Sequence, residues 1–243
     1  MKIIGKIKEK SLHLRDSNPI TLAFFGDSVT QGCFDLYRTS ENSAETYFDA
    51  EHAYHTQLRK IFGMLYPNVP LNLINAGISG DSAADGLKRL ERDVLRASPD
   101  LCVVCFGLND SVKQDEQALT RYCDAMREIF TALGEAEIET ILLTPNMMCT
   151  DVSCHIQDDL IRGIAESAAQ IQNSGRLELF LGEAKKIARK MNIPICDCYA
   201  KWKHLYEGGV NICELLANRI NHPTPEMNWL FAVSLIETMF CEK

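Results

Sequence analysis

No run of apolar residues in this 243-residue chain approaches the roughly 20 that a helix needs to cross a bilayer, so no membrane-spanning helix is expected. The first ten residues, MKIIGKIKEK, interleave lysines with their few apolar residues and lack the apolar core of a signal peptide. That points to a cytoplasmic protein. Positive charge is in short supply: 25 Lys and Arg face 33 Asp and Glu, a net charge of −8, which argues against nucleic acid or an anionic membrane as partner. No Gly-x-Gly-x-x-Gly or Walker loop follows an apolar run, so a nucleotide- or flavin-binding doubly wound protein is disfavoured. Internal repeats, low-complexity linkers and shifts of composition are lacking too. The chain therefore reads as a single domain, 1–243, ordinary in its 46% apolar and 24% charged residues.

Cysteine is not scarce. Ten are spread along the chain, and Cys102, Cys105 and Cys196 lie inside apolar runs, where a reduced thiol packs as a small hydrophobe. A disulfide-free protein is expected. Cys102 and Cys105 fall on opposite faces of a strand and cannot chelate together. His155 with Cys149 and Cys154 has poor metal-ligand spacing and no second cluster, so no metal is assigned.

The chain is organised about Ile20 to Gly32, ITLAFFGDSVTQG. The apolar run Ile20 to Phe25 has a buried strand's length and stops at Gly26; Asp27-Ser28-Val29-Thr30 follows. A strand ending in Gly and small polar residues delivers a hydroxyl to the carboxyl edge of a sheet, where α/β folds place ligands. Ser28 is either a nucleophile there or a helix cap. Two more apolar runs end in similar turns: Leu71 to Ile74 before Asn75-Ala76-Gly77-Ile78-Ser79-Gly80-Asp81-Ser82, and Leu101 to Cys105 before Phe106-Gly107-Leu108-Asn109-Asp110. Asn221-His222-Pro223 supplies a basic partner late in the chain.

Ser, Gly, Asn and His in this order and context resemble the SGNH (GDSL-type) hydrolase family, from Ile20 to about Phe240. The resemblance implies a flavodoxin-like α/β/α fold and a serine ester hydrolase that needs no cofactor. Carried over residue by residue, it makes Ser28 the nucleophile and His222 the base. The Ser28 amide, the Gly80 amide and the Asn109 side chain become the oxyanion donors, each such donor being worth about 3 to 4 kcal/mol of barrier. Gly107 would give Asn109 room to turn inward. Asp27 beside the nucleophile is a further candidate substrate contact, and Met147 and Met148 after the fourth strand are candidates for the acyl pocket. The other histidines lack the context of His222; His52 and His55, near the polar insertion, either line the pocket or lie at the surface, the latter being favoured. Thr30 stands where the second Gly of a Gly-x-Ser-x-Gly elbow would be, which disfavours the lipase type of α/β-hydrolase.

One position departs from the family. Three residues before the His, where an Asp usually holds the imidazole tautomer, stands Arg219. Asn218 fills the slot with a one-residue offset, so that its amide oxygen, or a main-chain carbonyl, would accept the ring N–H. Asp197, at the end of the fifth strand, is a weaker alternative acid. Family members act on acetylated sugars, short acyl esters, thioesters or lysophospholipids; a small soluble ester, an O-acetylated sugar among them, is the expected substrate. The contrasting reading is a carbohydrate- or ligand-binding protein that kept the fold without catalysis.

For the rest of the chain, helical spacing is read over Glu51 to Tyr66, Asp81 to Ala97 (capped by Asp81 or Ser82), Asp115 to Leu133 (ended by Gly134) and Glu226 to Phe240. Gln157 to Met191 is helical with a break near Asn173-Ser174-Gly175. Ile138 to Leu143 and Ile193 to Cys196 complete five strands, which alternate with helices as a mainly parallel sheet requires. Residues 1–19 read as an edge strand or arm. Cys33 to Ala50 shows no period and reads as a polar insertion, either one wall of the site or a solvated loop.

Overall fold

The structure is a computed structural model and describes residues 1–241. Five parallel strands form one sheet: β1 (Ile20–Gly26), β4 (Leu71–Gly77), β5 (Leu101–Cys105), β6 (Glu139–Leu143) and β7 (Ile195–Cys196), in the order β4-β1-β5-β6-β7. Numbered by appearance this is 2-1-3-4-5, the flavodoxin-like order, whose switch point lies between the first and third strands. That point is the end of β1.

Side chains alternate along the strands and build two cores. Leu22, Phe24, Leu101, Val103, Cys105, Ile141 and Leu143 face one way, toward α1 (Lys2–Leu12), α3 (Tyr54–Leu65), α7 (Asp159–Asn173) and α10 (Pro225–Cys241). Ala23, Phe25, Cys102, Val104 and Leu142 face the other, toward α4 (Ala83–Asp93), α6 (Ala118–Glu135) and most of the buried face of α8 (Arg176–Lys190). A parallel sheet buried on both faces explains why its strands read as unbroken apolar runs. Cys102 and Cys105 fall on opposite sides, as alternation requires, and all ten cysteines are unpaired.

Four expectations need correction. Residues 1–19 contain a helix, because Ile3 and Ile7 sit one turn apart and are both fully buried while the lysines around them stay outside, apart from Lys10. Lys10 is buried and its Nζ donates to the carbonyls of Leu14 and Ser17. Cys33 to Ala50 holds an antiparallel hairpin, β2 (Cys33–Ser40) and β3 (Ser43–Phe48). Its register shifts at Cys33/Asp35 and again at Arg38/Ser40, and those irregularities erase the two-residue period that would reveal it. Gly134 lies inside α6 rather than ending it. A short helix, α9 (Cys198–Glu207), has no counterpart in the periodicity; it is capped by Asp197 and buries Trp202 completely.

Candidate active site

Ser28 opens α2 (Ser28–Gln31), a single turn directly after β1. Asp27 caps it, its Oδ1 accepting the Val29 N–H at 3.0 Å. The Ser28 hydroxyl meets a loop arriving from the far end of the chain. There His222 Nε2 lies 3.0 Å from Ser28 Oγ, across 194 residues of sequence, and both residues are buried.

The His222 loop is a tight reversal. Leu216 bridges Pro223, and the Ala217 N–H donates to the His222 carbonyl at 2.7 Å. Asn146, from the turn after β6, donates to the Asn221 carbonyl at 2.8 Å and ties the loop to the sheet. Asn218 sits inside the reversal, buried, with its Oδ1 accepting the main-chain N–H groups of Ile220, Asn221 and His222 at 3.0, 2.9 and 3.0 Å. Its Nδ2 stands 3.2 Å from His222 Nδ1. Asn218 therefore reaches the ring, but through nitrogen instead of the expected oxygen. Arg219 is in the left-handed region at φ 60° and pairs with Glu214, away from the ring. Asp197 is committed elsewhere: it accepts from Thr144 Oγ1 at 2.9 Å, from Lys185 Nζ at 2.8 Å and from the Ala200 N–H at 3.2 Å.

Burial lowers the His222 pKa to about 4, while the nearby main-chain carbonyl of Phe34 opposes that shift. Phe34 sits in the register shift of β2, where it has no ladder partner. The start of the insertion thus lies near the imidazole.

The neighbouring turns are fastened to this one. Gln31 of α2 accepts the Ser79 N–H at 2.6 Å through its side chain and the Asn75 side-chain amide at 3.1 Å through its carbonyl. The Ile78 N–H donates to the Gly26 carbonyl at 3.1 Å. Gly80 takes φ +83°, open to any residue only at a cost in strain. Asn109 donates to the Asp81 carbonyl at 3.0 Å, which holds its side chain beside the Gly80 turn and leaves its second amide hydrogen free of that bond. Among the described residues, the main-chain N–H groups of Ser28 and Gly80 serve no turn or cap hydrogen bond. Contrary to expectation, Gly107 does not make room for Asn109; at φ +134° a Cβ there would lie 2.7 Å from Leu181 Cδ2, so it makes room for that core leucine.

Other expectations resolve plainly. Asp27 is buried beneath the turn with Oδ2 unpartnered, and burial raises its pKa to about 7, with the charge of Asp110 adding to the rise. Met147 and Met148 are both buried in the larger core. His52 pairs with Asp49 at the surface, whereas His55 is buried against Phe24 and Tyr54, because it lies on the inner face of α3. Arg89, which no motif singled out, clamps the site from below: it donates to the carbonyls of Gly26 and Ala76 and to the Asp81 carboxylate. An arginine on a helix two turns past a Gly-Asp-Ser turn reads as solvated in sequence. Only the fold turns it inward.

Residues 24–230 match the GDSL-like Lipase/Acylhydrolase family. The chain belongs to that family. Over 93 residues it is 29% identical to an acetylxylan esterase of Geobacillus stearothermophilus, a match covering 38% of this chain and only 41% of that relative's length. The solved structure of an acetylxylan esterase from the same organism superposes with TM-score 0.66 at 22% identity, covering 92% of this chain and 95% of the other. A lipase/acylhydrolase from Enterococcus faecalis superposes with TM-score 0.65 at 21% identity, covering 90% and 94%. An α/β hydrolase enzyme from the Lake Arreo metagenome gives 0.67 at 20%, covering 91% and 95%. At these identities the likeness speaks for the GDSL fold, an α/β sheet flanked by helices.

Proposed function

We propose that this protein is a carboxylic ester hydrolase that cleaves small acyl esters through an acyl-enzyme on Ser28, with O-acetylated carbohydrate as the favoured substrate class. The observation that carries the reading is the 3.0 Å approach of His222 Nε2 to Ser28 Oγ at the topological switch point of the sheet. In the proposed reaction Ser28 Oγ attacks the ester carbonyl while His222 Nε2 takes its proton. The amides of Ser28 and Gly80 and the side chain of Asn109 receive the developing oxyanion. The alcohol leaves with the proton from His222, and water repeats the sequence to release the acid. Burial of the imidazole keeps it neutral above pH of about 4, the state in which a ring nitrogen carries the lone pair a base needs. The similarity to acetylxylan esterases supports an acetyl ester of a sugar over a thioester or lysophospholipid.

The test is labelling by a fluorophosphonate probe together with a panel of p-nitrophenyl acyl esters and acetylated xylo-oligosaccharides, on wild type and Ser28→Ala. Labelling and turnover lost in Ser28→Ala are expected. A wild type that neither labels nor turns over any ester, while still binding sugars, would favour the non-catalytic binding reading.

A further inference from the structure

Asn218 carries a constraint that the nucleophile–base geometry alone does not reveal. Its Oδ1 accepts three main-chain N–H groups, from Ile220, Asn221 and His222. Those donors fix which end of the amide is which, since turning it over would set an NH2 against three N–H groups. The amide nitrogen is thereby forced outward. One of its hydrogens goes to Asn221 Oδ1 at 2.9 Å, and the other is directed at His222 Nδ1, 3.2 Å away. An amide nitrogen has no lone pair to offer, so Nδ1 must supply the lone pair itself. In a neutral imidazole the single proton is then on Nε2, the nitrogen facing Ser28.

We infer that Asn218 holds the resting His222 as its Nε2–H tautomer, which donates to Ser28 Oγ instead of receiving its proton, and that Asn218 is thereby a positioning residue that throttles the hydrolase. This rests on the reading of Ser28 and His222 as nucleophile and base. Before Nε2 can take the Ser28 proton, it must give up its own, and Nδ1 must gain one while facing an N–H. A carboxylate at position 218 would remove the conflict: one oxygen keeps the three main-chain amides and the other accepts from Nδ1–H. In serine proteases the opposite exchange, Asp to Asn at the orienting position, leaves the geometry intact and lowers kcat by about 10⁴ through the wrong tautomer. Here the Asn is native.

The experiment compares full-length wild type with Asn218→Asp by two readouts, ¹⁵N spectra of the labelled histidine rings and kinetics on p-nitrophenyl acetate. For wild type, His222 is expected to show a pyridine-type Nδ1 and a pyrrole-type Nε2, and for Asn218→Asp the reverse. The variant should raise kcat by at least about tenfold, with KM changed far less, because the gain comes from base strength and not from binding. Thermal unfolding checks that both proteins are folded. A wild-type proton on Nδ1, or an Asn218→Asp protein with the reversed tautomer that turns over no faster, overturns the inference. If neither protein hydrolyses any ester nor labels at Ser28, the esterase reading falls and the throttle falls with it. The ring spectra then still decide the tautomer assignment separately.

Discussion

Gly77 packs against the backbone of Gln31 so closely that a Cβ at position 77 would stand 2.3 Å from the Gln31 nitrogen. It would also lie 2.7 Å from the Thr30 carbonyl carbon and 2.8 Å from the Asp27 oxygen, so no side chain can swing aside to relieve it. The helical turn that presents Ser28 is thus seated directly on the end of β4.

Gly77→Ala should displace that turn or unfold it. Overpacking against backbone is expected to cost about 3 kcal/mol or more, the upper end for such changes, read as a drop in the urea midpoint. Fluorophosphonate labelling of Ser28 should fall further than the change in folded fraction explains. Labelling at the wild-type rate in a stable Gly77→Ala protein would contradict this seating.

Arg89 holds together the ends of two adjacent strands. Replacing it by Met leaves the carbonyls of Gly26 and Ala76 without their donor and Asp81 without its buried partner. Removal of one member of such a buried pair costs about 3–5 kcal/mol, measurable by urea denaturation. Arg89→Lys should recover only part of that loss, because one ammonium cannot reach all three acceptors of the planar fork.

The pH dependence of stability is a contest among four buried groups. Burial raises Asp27 and Asp110 from 3.8 to about 7 and lowers His55 and His222 from 6.5 to about 4. The two carboxyls bind protons more tightly when folded, so their contribution is full below pH of about 4 and is lost as pH rises through 7. The two imidazoles contribute fully above pH of about 6.5 and lose it as pH falls through 4. Between these limits the slopes oppose, and a nearly flat stability from pH 6.5 to 4.5 is expected of these groups. Asp110→Asn removes one carboxyl and relieves Asp27 of its charge. The variant should therefore lose stability on acidification across the same range; urea midpoints at several pH values check it.

Asp197 offers no acid to the site. Asp197→Asn should leave kcat/KM on p-nitrophenyl acetate unchanged, while weakening the tie to Lys185 and lowering the melting temperature slightly. A collapse of turnover in folded protein would return Asp197 to the mechanism.

Much of this was legible in the residues. Ile20 to Phe25 and Leu101 to Cys105 read as buried strands because both sides of the sheet are covered, and the break at Asn173-Ser174-Gly175 marked the boundary of α7 and α8. The hairpin after Ser28 was not, since its register shifts destroy the alternation on which a strand is recognised. The N-terminal helix was missed because its inward face is carried by only a few residues between lysines.

Taken alone, the sequence determined the parallel sheet and the turns that hold Ser28, Gly80 and Asn109, because each depends on local pattern: apolar runs ended by glycine and small polar residues. His222 stood out from the other histidines only by its resemblance to the family's base. The tertiary structure decided what those groups meet. Which atom of Asn218 faces the imidazole follows from three main-chain amides closing on its oxygen, and the reach of Arg89 follows from strands brought side by side. Hydrogen-bond direction is set by what surrounds a group in space, and a linear string of residues carries no record of that.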